Sequence, residues 1–85
     1  MVKPILEHVY ANSSGRGGVL SYEFIENGIQ LQFKDSYQIY VYTYNRPGRN
    51  KVERMKELAL SGKGLTTYVN QYVREEYETS FTYQP

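Results

Sequence analysis

An Asn-Gly pair lies between two runs in which apolar and polar residues alternate. The runs occupy residues 20–25 and 29–34, and the pair is Asn27-Gly28. Alternation with a period of two is typical of a strand with one buried face. Because a type I′ turn requires positive φ at both central residues, Asn-Gly between such runs is the strongest short-range signal for a β-hairpin. We therefore expect an antiparallel hairpin centred on this pair.

The expected two-residue loop fixes how the two strands pair. It places Phe24 opposite Leu31 and Tyr22 opposite Phe33, so that these apolar side chains share one face. The other face carries Ile25 and a polar set, namely Ser21, Glu23, Gln30, Gln32 and Lys34. We expect the apolar face to be buried and the polar face to be hydrated.

Tyrosine is abundant, with 10 copies among 85 residues, and the short run 40–44 has a tyrosine at every second position. Aromatic and β-branched residues suit a pleated, half-buried surface, so this run predicts a third strand. Its period of two sends Tyr40, Tyr42 and Tyr44 to one face and the residues between them to the other. Whether the tyrosine face is buried or exposed decides between a packing role and a binding role.

The length of the second loop decides where the tyrosines point. A loop of two residues, starting at Asp35, would turn Tyr40 and Tyr42 into the core. A loop of three residues would instead place Ile39 and Val41 in the core and the tyrosines on the hydrated face, because a slip of one residue reverses the faces of a strand. We favour the longer loop, since Ile39 and Val41 are the better core residues and the turn has no glycine to support a tight primed type.

Two helices are predicted after this strand. Asn50, with Glu53 three residues later, has the spacing of an N-cap and a capping box. The apolar face of the first helix is Val52, Met55, Leu58 and Ala59, and the glycine of Ser61-Gly62 ends it. Apolar residues at spacings of three and four predict the second helix, namely Leu65, Tyr68, Val69, Tyr72, Val73 and Tyr77.

The apolar faces of the helices need a partner, and the apolar face of the meander provides one. The sequence thus predicts a small α+β domain over residues 1–85, with a three- to four-stranded antiparallel meander packed against two C-terminal helices. The fourth strand would lie at residues 5–11, within an N-terminal strand and loop of residues 1–19. Residues 78–85 are expected to form an extended C-terminal tail.

Composition argues against several kinds of chemistry. The chain has no cysteine, which suits a cytoplasmic location, and His8 is its one histidine, so neither a catalytic triad nor a three-ligand zinc site can be assembled from the usual residues. The carboxylates are spread along the chain without a visible acid–base pair. No long apolar run predicts a signal peptide or a membrane span. We expect a non-enzymatic cytoplasmic protein without cofactor, metal or membrane.

Charge is nearly balanced overall, with a formal net charge of +1, which argues against bulk electrostatic binding to nucleic acid. Basic residues are concentrated in the middle of the chain. Residues 46–63 contain Arg46, Arg49, Lys51, Arg54, Lys56 and Lys63 against two glutamates. This segment could contact phosphates, although a solvated helix face has the same composition.

Several features occur in a characteristic order along residues 20–77: the meander, the Tyr-x-Tyr at Tyr40 and Tyr42, the segments Met-Lys-Glu-Leu-Ala at 55–59 and Ser-Gly-Lys-Gly at 61–64, and the ending at 72–77. In this order they resemble the KTSC domain, a short module found at the C-terminus of some lysyl-tRNA synthetases and as a free-standing bacterial protein. The chain departs from the family pattern at Ser36-Tyr37, where a glycine is usual. The family has no established function, and its synthetase fusion suggests RNA binding.

The tyrosine face is the main candidate site. Tyr40, Tyr42 and Tyr44 could stack on unpaired bases of single-stranded RNA or DNA, because every base has a π-face. Arg46, Arg49 and Lys63 would then contact the phosphates. The alternatives are that the rings pack beneath the terminal segments or form an interface with another protein or a second copy. Both a nucleic-acid-binding module and a protein-interaction module therefore remain open.

Two glycine-rich segments could in principle hold a phosphate. Gly62-Lys63-Gly64 precedes a helix, whose N-terminus attracts anions, but a helix end followed by a turn explains both glycines equally well. Residues 14–18 resemble a phosphate-binding loop in composition, yet a strand follows where a helix is required. We expect a turn at the first segment and a mobile loop at the second.

Overall fold

The computed structural model describes residues 2–11 and 18–83. Its strands are His8–Val9 (β1), Val19–Ile25 (β2), Gly28–Phe33 (β3), Gln38–Thr43 (β4) and Thr79–Thr82 (β5). They form one antiparallel sheet in chain order. Helix α1 spans Arg49–Ser61, and helix α2 spans Leu65–Tyr68 and continues as a π-helical segment at Val69–Val73. The predicted α+β class, with an antiparallel sheet and two helices, is confirmed.

The first hairpin turns one residue earlier than expected. Ile25 lies opposite Gly28, so the loop consists of Glu26 and Asn27, and Phe24 faces Ile29 rather than Leu31. Among the described residues no non-glycine φ is positive, and Gly28 is not a positive-φ residue either, so the predicted type I′ turn is wrong. From Ser21 to Ile25 the predicted apolar face is correct, because a pairing shift of two residues keeps each of these side chains on its face. A register shift between Val19 and Ser21 then places Val19 opposite Phe33.

Gly28 is needed for a different reason. A Cβ atom at this position would overlap the backbone carbonyl oxygen of Tyr42 on the neighbouring strand. Gly28 therefore lies within β3, where its missing side chain lets the β4 backbone approach, and it does not form the turn.

The second hairpin has the pairing register of the two-residue loop, the alternative that we did not favour, although residues 34–37 lie between the ends of β3 and β4. Tyr42 lies opposite Ile29, and Tyr40 lies opposite Leu31. The tyrosines thus point toward the helices, and the expectation that they face solvent is wrong. The physical reason is that both faces of β4 are covered: Ile39 is 1% exposed and Val41 is 7% exposed on the opposite face, so their apolar character did not identify the core side.

Helix α1 begins one residue before the predicted N-cap. Gly48 is the N-cap, with a φ of 116°, and its carbonyl oxygen accepts from the Val52 amide at 3.0 Å, while no side chain caps this end. The prediction of Asn50 as the cap is therefore wrong. The other end agrees with the sequence, since Gly62 has a left-handed φ of 80° and its amide donates to the carbonyl of Leu58.

The second helix is shorter than its apolar pattern suggested. It ends at Val73, and the predicted extension to Tyr77 is wrong. Leu65, Val69 and Val73 are fully buried at a spacing of four. All three side chains belong to the core that the sheet and helix α1 also form.

The main core lies between the helices and one face of the sheet. Its buried members are Tyr10, Val19, Tyr22, Ile29, Leu31, Phe33 and Tyr42 with Val52, Met55, Ala59, Leu65, Val69 and Val73. Burial of these side chains is the principal source of stability. The core also fixes which surfaces of the sheet remain outside.

We expected the face of the sheet away from the helices to be hydrated, but part of it is buried. Gln32 and Ser21 are fully buried there, beneath residues 3–6. The Gln32 side-chain oxygen accepts from the Ile5 amide at 2.9 Å and from the Ser21 hydroxyl at 2.6 Å. Its amide nitrogen donates to the Lys3 carbonyl at 2.8 Å. Backbone groups of the N-terminal segment thus satisfy a polar side chain within the sheet.

Both ends of the chain contribute strands. The predicted strand at residues 5–11 is reduced to His8–Val9, which pairs with β2. The predicted tail contains β5, which pairs with β4 and was not expected as a strand. Most of the predicted glycine-rich loop, residues 12–17, lies outside the described residues.

Candidate binding surfaces

Of the predicted stacking tyrosines, Tyr42 belongs to the core and Tyr40 packs against it. Tyr42 is fully buried, and its hydroxyl donates to the Arg74 carbonyl at 3.4 Å. Burial raises the pKa of the Tyr42 phenol well above its ordinary value. The half-buried ring of Tyr40 packs edge-on against Phe33 and Tyr77, with centroids 5.5 and 4.9 Å away. Tyr42 thus offers no exposed ring on which a base could stack.

Tyr44 lies at the end of the same row and is half-buried. Its hydroxyl donates to the Glu53 carboxylate at 2.6 Å, and the Arg49 guanidinium lies 5.4 Å from the centre of its ring. The Lys56 ammonium lies 5.8 Å from the same ring. The hydrogen bond raises the pKa of the Tyr44 phenol and lowers the pKa of the Glu53 carboxyl, because it stabilises the neutral phenol and the charged carboxylate.

The three residues predicted to contact phosphates, Arg46, Arg49 and Lys63, do not lie in one place. Arg46 lies in the turn after β4, where its guanidinium donates to the Glu75 carbonyl at 3.3 Å. Arg46 and Arg49 therefore both belong to the connection from β4 into α1, and Arg49 contacts the Tyr44 ring. Lys63 follows the far end of α1, a helix about 20 Å long by its rise per residue. A single short ligand at this connection would not reach Lys63.

Basic side chains on α1 are largely neutralised by nearby carboxylates. Lys51 contacts Glu76 at 3.2 Å, and Arg54 contacts Glu57 at 3.1 Å. Lys56 lies 3.5 Å from Glu53. Such surface pairs contribute little to stability, but they reduce the positive potential that the sequence segment suggested.

The Gly62-Lys63-Gly64 segment has the structure expected from a helix end and a turn. Gly62 caps α1, and Gly64 has a left-handed φ of 87° before α2. The first amide of α2, that of Leu65, donates to the Tyr10 hydroxyl at 3.0 Å. A side chain of the protein thus occupies the position at which a phosphate would have to bind.

An exposed aromatic surface lies elsewhere, at the β5 edge. Phe81 is 46% exposed, Tyr83 is 40% exposed and Tyr37 is 37% exposed, and all three lie on the sheet face away from the helices. Beside them, a cavity of about 270 Å³ is lined by Lys3, Pro4, Ile5, Tyr37 and Tyr83. We call these three rings together with the open edge of β5 the β5 surface.

Hydrogen bonding shows which backbone groups of β5 point outward. The Tyr83 amide donates to the Tyr37 carbonyl of β4 at 2.9 Å. Because backbone groups alternate in direction along a strand, the N–H and C=O groups of Ser80 and Thr82 point away from β4. Among the described residues, no other strand pairs with this side of β5. The β5 surface therefore combines exposed rings with an open row of backbone donors and acceptors.

The sequence of β5 lacks the usual protection of an edge strand. Residues 79–83 contain no charged residue and no proline. Natural edge strands commonly carry lysine, proline or a bulge, which discourage pairing with another chain. The alternation of Ser80 and Thr82 with Phe81 and Tyr83 could have predicted this strand, whereas only the order of strands in the sheet places it at the edge.

We also searched the described residues for a metal-binding group and for a membrane-spanning helix. No group of three His, Asp or Glu side chains in that part of the chain is placed to hold a metal ion. No helix formed by these residues is both long enough and apolar enough to cross a membrane.

Comparisons with known proteins give no relative for this chain. Family models, curated proteins and solved structures were each compared with it, and none matches. The resemblance of residues 20–77 to the KTSC domain therefore stays a prediction.

Proposed function

We propose that this protein is a non-enzymatic protein-interaction module, which binds an extended segment of a partner as an added strand along β5. The observation that carries the proposal is the outward direction of the Ser80 and Thr82 backbone groups beside the exposed ring of Phe81. In strand addition, backbone hydrogen bonds supply affinity and alternate side chains supply specificity. The β5 surface offers both contributions in one place.

The chemistry of the β5 surface defines the kind of segment it would accept. An uncharged edge favours a segment that is itself extended and rich in β-branched or aromatic residues. The rings of Tyr37, Phe81 and Tyr83 would contact alternate side chains of that segment. The neighbouring cavity, of about 270 Å³, lies at the lower end of the range for small-molecule sites and has room for an individual side chain of the partner.

Peptide selection followed by NMR tests this proposal. A displayed library of short random peptides would be selected on the immobilised protein, and the enriched peptides would be titrated into labelled protein. We expect shifts at the amides of Ser80 and Thr82 and at the Phe81 ring. Selected peptides that shift only signals remote from β5 would contradict strand addition, as would the absence of any enriched peptide.

A pair of substitutions at Thr82 provides a matched control. Thr82→Pro removes an N–H group that points away from β4, so it should abolish peptide binding while the β4–β5 hydrogen bonds persist. Thr82→Ala keeps the N–H group and should bind peptides as the original protein does. Equal binding by both variants would show that the backbone edge is not the contact.

Binding of single-stranded RNA or DNA is a second candidate, favoured by the grouping of Tyr44, Arg46 and Arg49 in the connection from β4 into α1. The Arg49 guanidinium lies over the Tyr44 ring, so a base would have to stack on the guanidinium or displace it. Titration with a short single-stranded RNA at low and high salt tests this candidate. We expect salt-dependent shifts at Tyr44 that are lost in Arg46→Ala/Arg49→Ala. Unchanged spectra, or shifts that ignore salt, would exclude it.

A further inference from the structure

Resting on the proposed function of the β5 surface, we propose that its partner is a second copy of the same chain. Two β5 strands would pair antiparallel about a two-fold axis, with Phe81 of each copy facing Phe81 of the other. The sheets would then continue across both copies. A closed two-fold contact of this kind uses the same surface on both partners, which is the commonest arrangement in homo-oligomers.

The direction of the backbone groups selects the register. Ser80 and Thr82 have outward N–H and C=O groups, whereas Phe81 and Tyr83 direct theirs toward β4. An antiparallel pair centred on Phe81 places Ser80 of one copy opposite Thr82 of the other. Every outward N–H and C=O group of these two residues then finds a partner in both copies.

The neighbouring register satisfies fewer of these groups. Centring the pair on Ser80 would place Thr82 opposite Glu78 of the second copy. The Glu78 amide already donates to the Val41 carbonyl at 2.8 Å, so it is not directed to the open edge. A shift of one residue is also excluded, because it would set the outward groups of one strand against the inward groups of the other.

Side chains agree with the register centred on Phe81. At the two-fold axis the two Phe81 residues would form a non-hydrogen-bonded pair, the type in which opposite side chains approach most closely. Aromatic pairs at such positions are favourable cross-strand contacts. The pairing would cover a ring that is 46% exposed in the single chain. Tyr83 would lie opposite Thr79 of the second copy, on the same face.

Charge does not oppose the contact. Residues 79–83 have no ionisable group other than the phenol of Tyr83, so two copies meet without like charges at the interface. Because the two-fold axis is perpendicular to the sheet, the helices of both copies lie on one side. The rings of Tyr37, Phe81 and Tyr83 from both copies then form a continuous aromatic surface on the other side.

Sedimentation equilibrium at increasing protein concentration tests the pairing. We expect a monomer–dimer equilibrium whose dissociation constant rises at least about tenfold in Phe81→Glu, since that change places like charges opposite each other. Thr82→Pro should weaken the dimer similarly, whereas Thr82→Ala and the remote Tyr72→Glu should not. Amide spectra of each variant, matching the original outside β5, would show that the fold is retained.

An isotope-filtered NMR measurement tests the register directly. In a mixture of labelled and unlabelled protein, we expect contacts between the Phe81 rings of different copies. A dimer that survives Phe81→Glu, or that lacks these contacts, would overturn the inferred interface. A strict monomer at the highest concentration would overturn self-pairing, but peptide binding at Ser80 and Thr82 would then still support the proposed function. Loss of both behaviours would contradict both proposals.

Discussion

Tyr42 lies directly opposite Ile29 in the β3–β4 ladder, and both side chains are fully buried between the sheet and the helices. Replacing Tyr42 by alanine should therefore leave a large cavity at the centre of the core. We expect Tyr42→Ala to lower the free energy of unfolding by about 3–5 kcal/mol, as for other buried aromatic residues. Chemical denaturation followed by circular dichroism measures this change.

Two further variants show whether the stability cost of Tyr42→Ala comes from the buried ring. One removes only the Tyr42 hydroxyl, and the other removes an exposed tyrosine ring. Tyr42→Phe keeps the ring and loses a hydroxyl whose contact with the Arg74 carbonyl is long, at 3.4 Å, so it should cost about 1 kcal/mol or less. Tyr72→Ala changes a ring that is 56% exposed and should stay within about 0.5 kcal/mol of the original protein. A cost for Tyr42→Ala as small as that for Tyr72→Ala would place Tyr42 outside the core.

Periodicity in the sequence predicted the kinds of element, and the buried faces of β2 and β3, better than the turns between them. The alternation in residues 20–25 and 29–34 correctly identified the buried side of β2 and β3. It could not position the turn, because Gly28 is required by the close approach of the Tyr42 backbone, a contact between strands that are not joined by that turn. The Asn-Gly pattern predicted that Gly28 forms the turn, whereas Gly28 is needed so that the β4 backbone can pack closely against β3.

The face of β4 was wrongly predicted because both of its faces are buried. The apolar character of Ile39 and Val41 predicts that they face the main core, yet they are buried on the opposite face while Tyr40 and Tyr42 face the helices. A rule that assumes one hydrated face fails on such a strand. The predicted stacking site assumed that these tyrosines face solvent, so it was wrong for the same reason. Lys63 does not belong to that site either, because it follows the far end of α1.

The β5 surface was missed because its exposure depends on topology. The alternation near Phe81 was visible in the sequence, but no turn signal of the hairpin type precedes it. Only the order of strands in the sheet shows that β5 is an edge. Propensity can suggest a strand, whereas its position in the sheet is set by the packing of the whole chain.

Gly28 is expected to tolerate no side chain. In Gly28→Ala the added methyl group would overlap the Tyr42 carbonyl oxygen, and backbone atoms of β4 cannot move away without breaking ladder hydrogen bonds. We expect a loss of about 1–3 kcal/mol or more in the free energy of unfolding, measured by denaturation. Asn27→Ala, at the exposed neighbouring turn position, is the control and should change stability little. Equal effects of the two substitutions would contradict the close approach.

Gln32 is expected to hold residues 3–6 against the sheet. Gln32→Leu keeps a similar size but leaves the Ile5 amide and the Lys3 carbonyl without their side-chain partner. We expect a loss of about 1–3 kcal/mol in the free energy of unfolding and faster hydrogen exchange at Ile5. Gln30→Leu, at a half-buried position on the same face of β3, should leave that exchange unchanged. Slow exchange at Ile5 in Gln32→Leu would contradict this role.

The hydrogen bond between Tyr44 and Glu53 is expected to make stability depend on pH at both extremes. The folded state lowers the pKa of Glu53, so this contribution is present above the ordinary carboxyl pKa of about 4.3 and is lost as pH falls through the folded value. It raises the pKa of Tyr44, so the contribution is present below about pH 10 and is lost as pH rises through the folded value. The free energies of unfolding of the original protein and of Tyr44→Phe, measured across this range, should differ most near neutral pH and converge toward both ends. Glu53→Gln should remove the loss of stability at acid pH that comes from this hydrogen bond. If the difference in free energy of unfolding between the original protein and Tyr44→Phe stays constant with pH, the hydrogen bond does not couple the two groups.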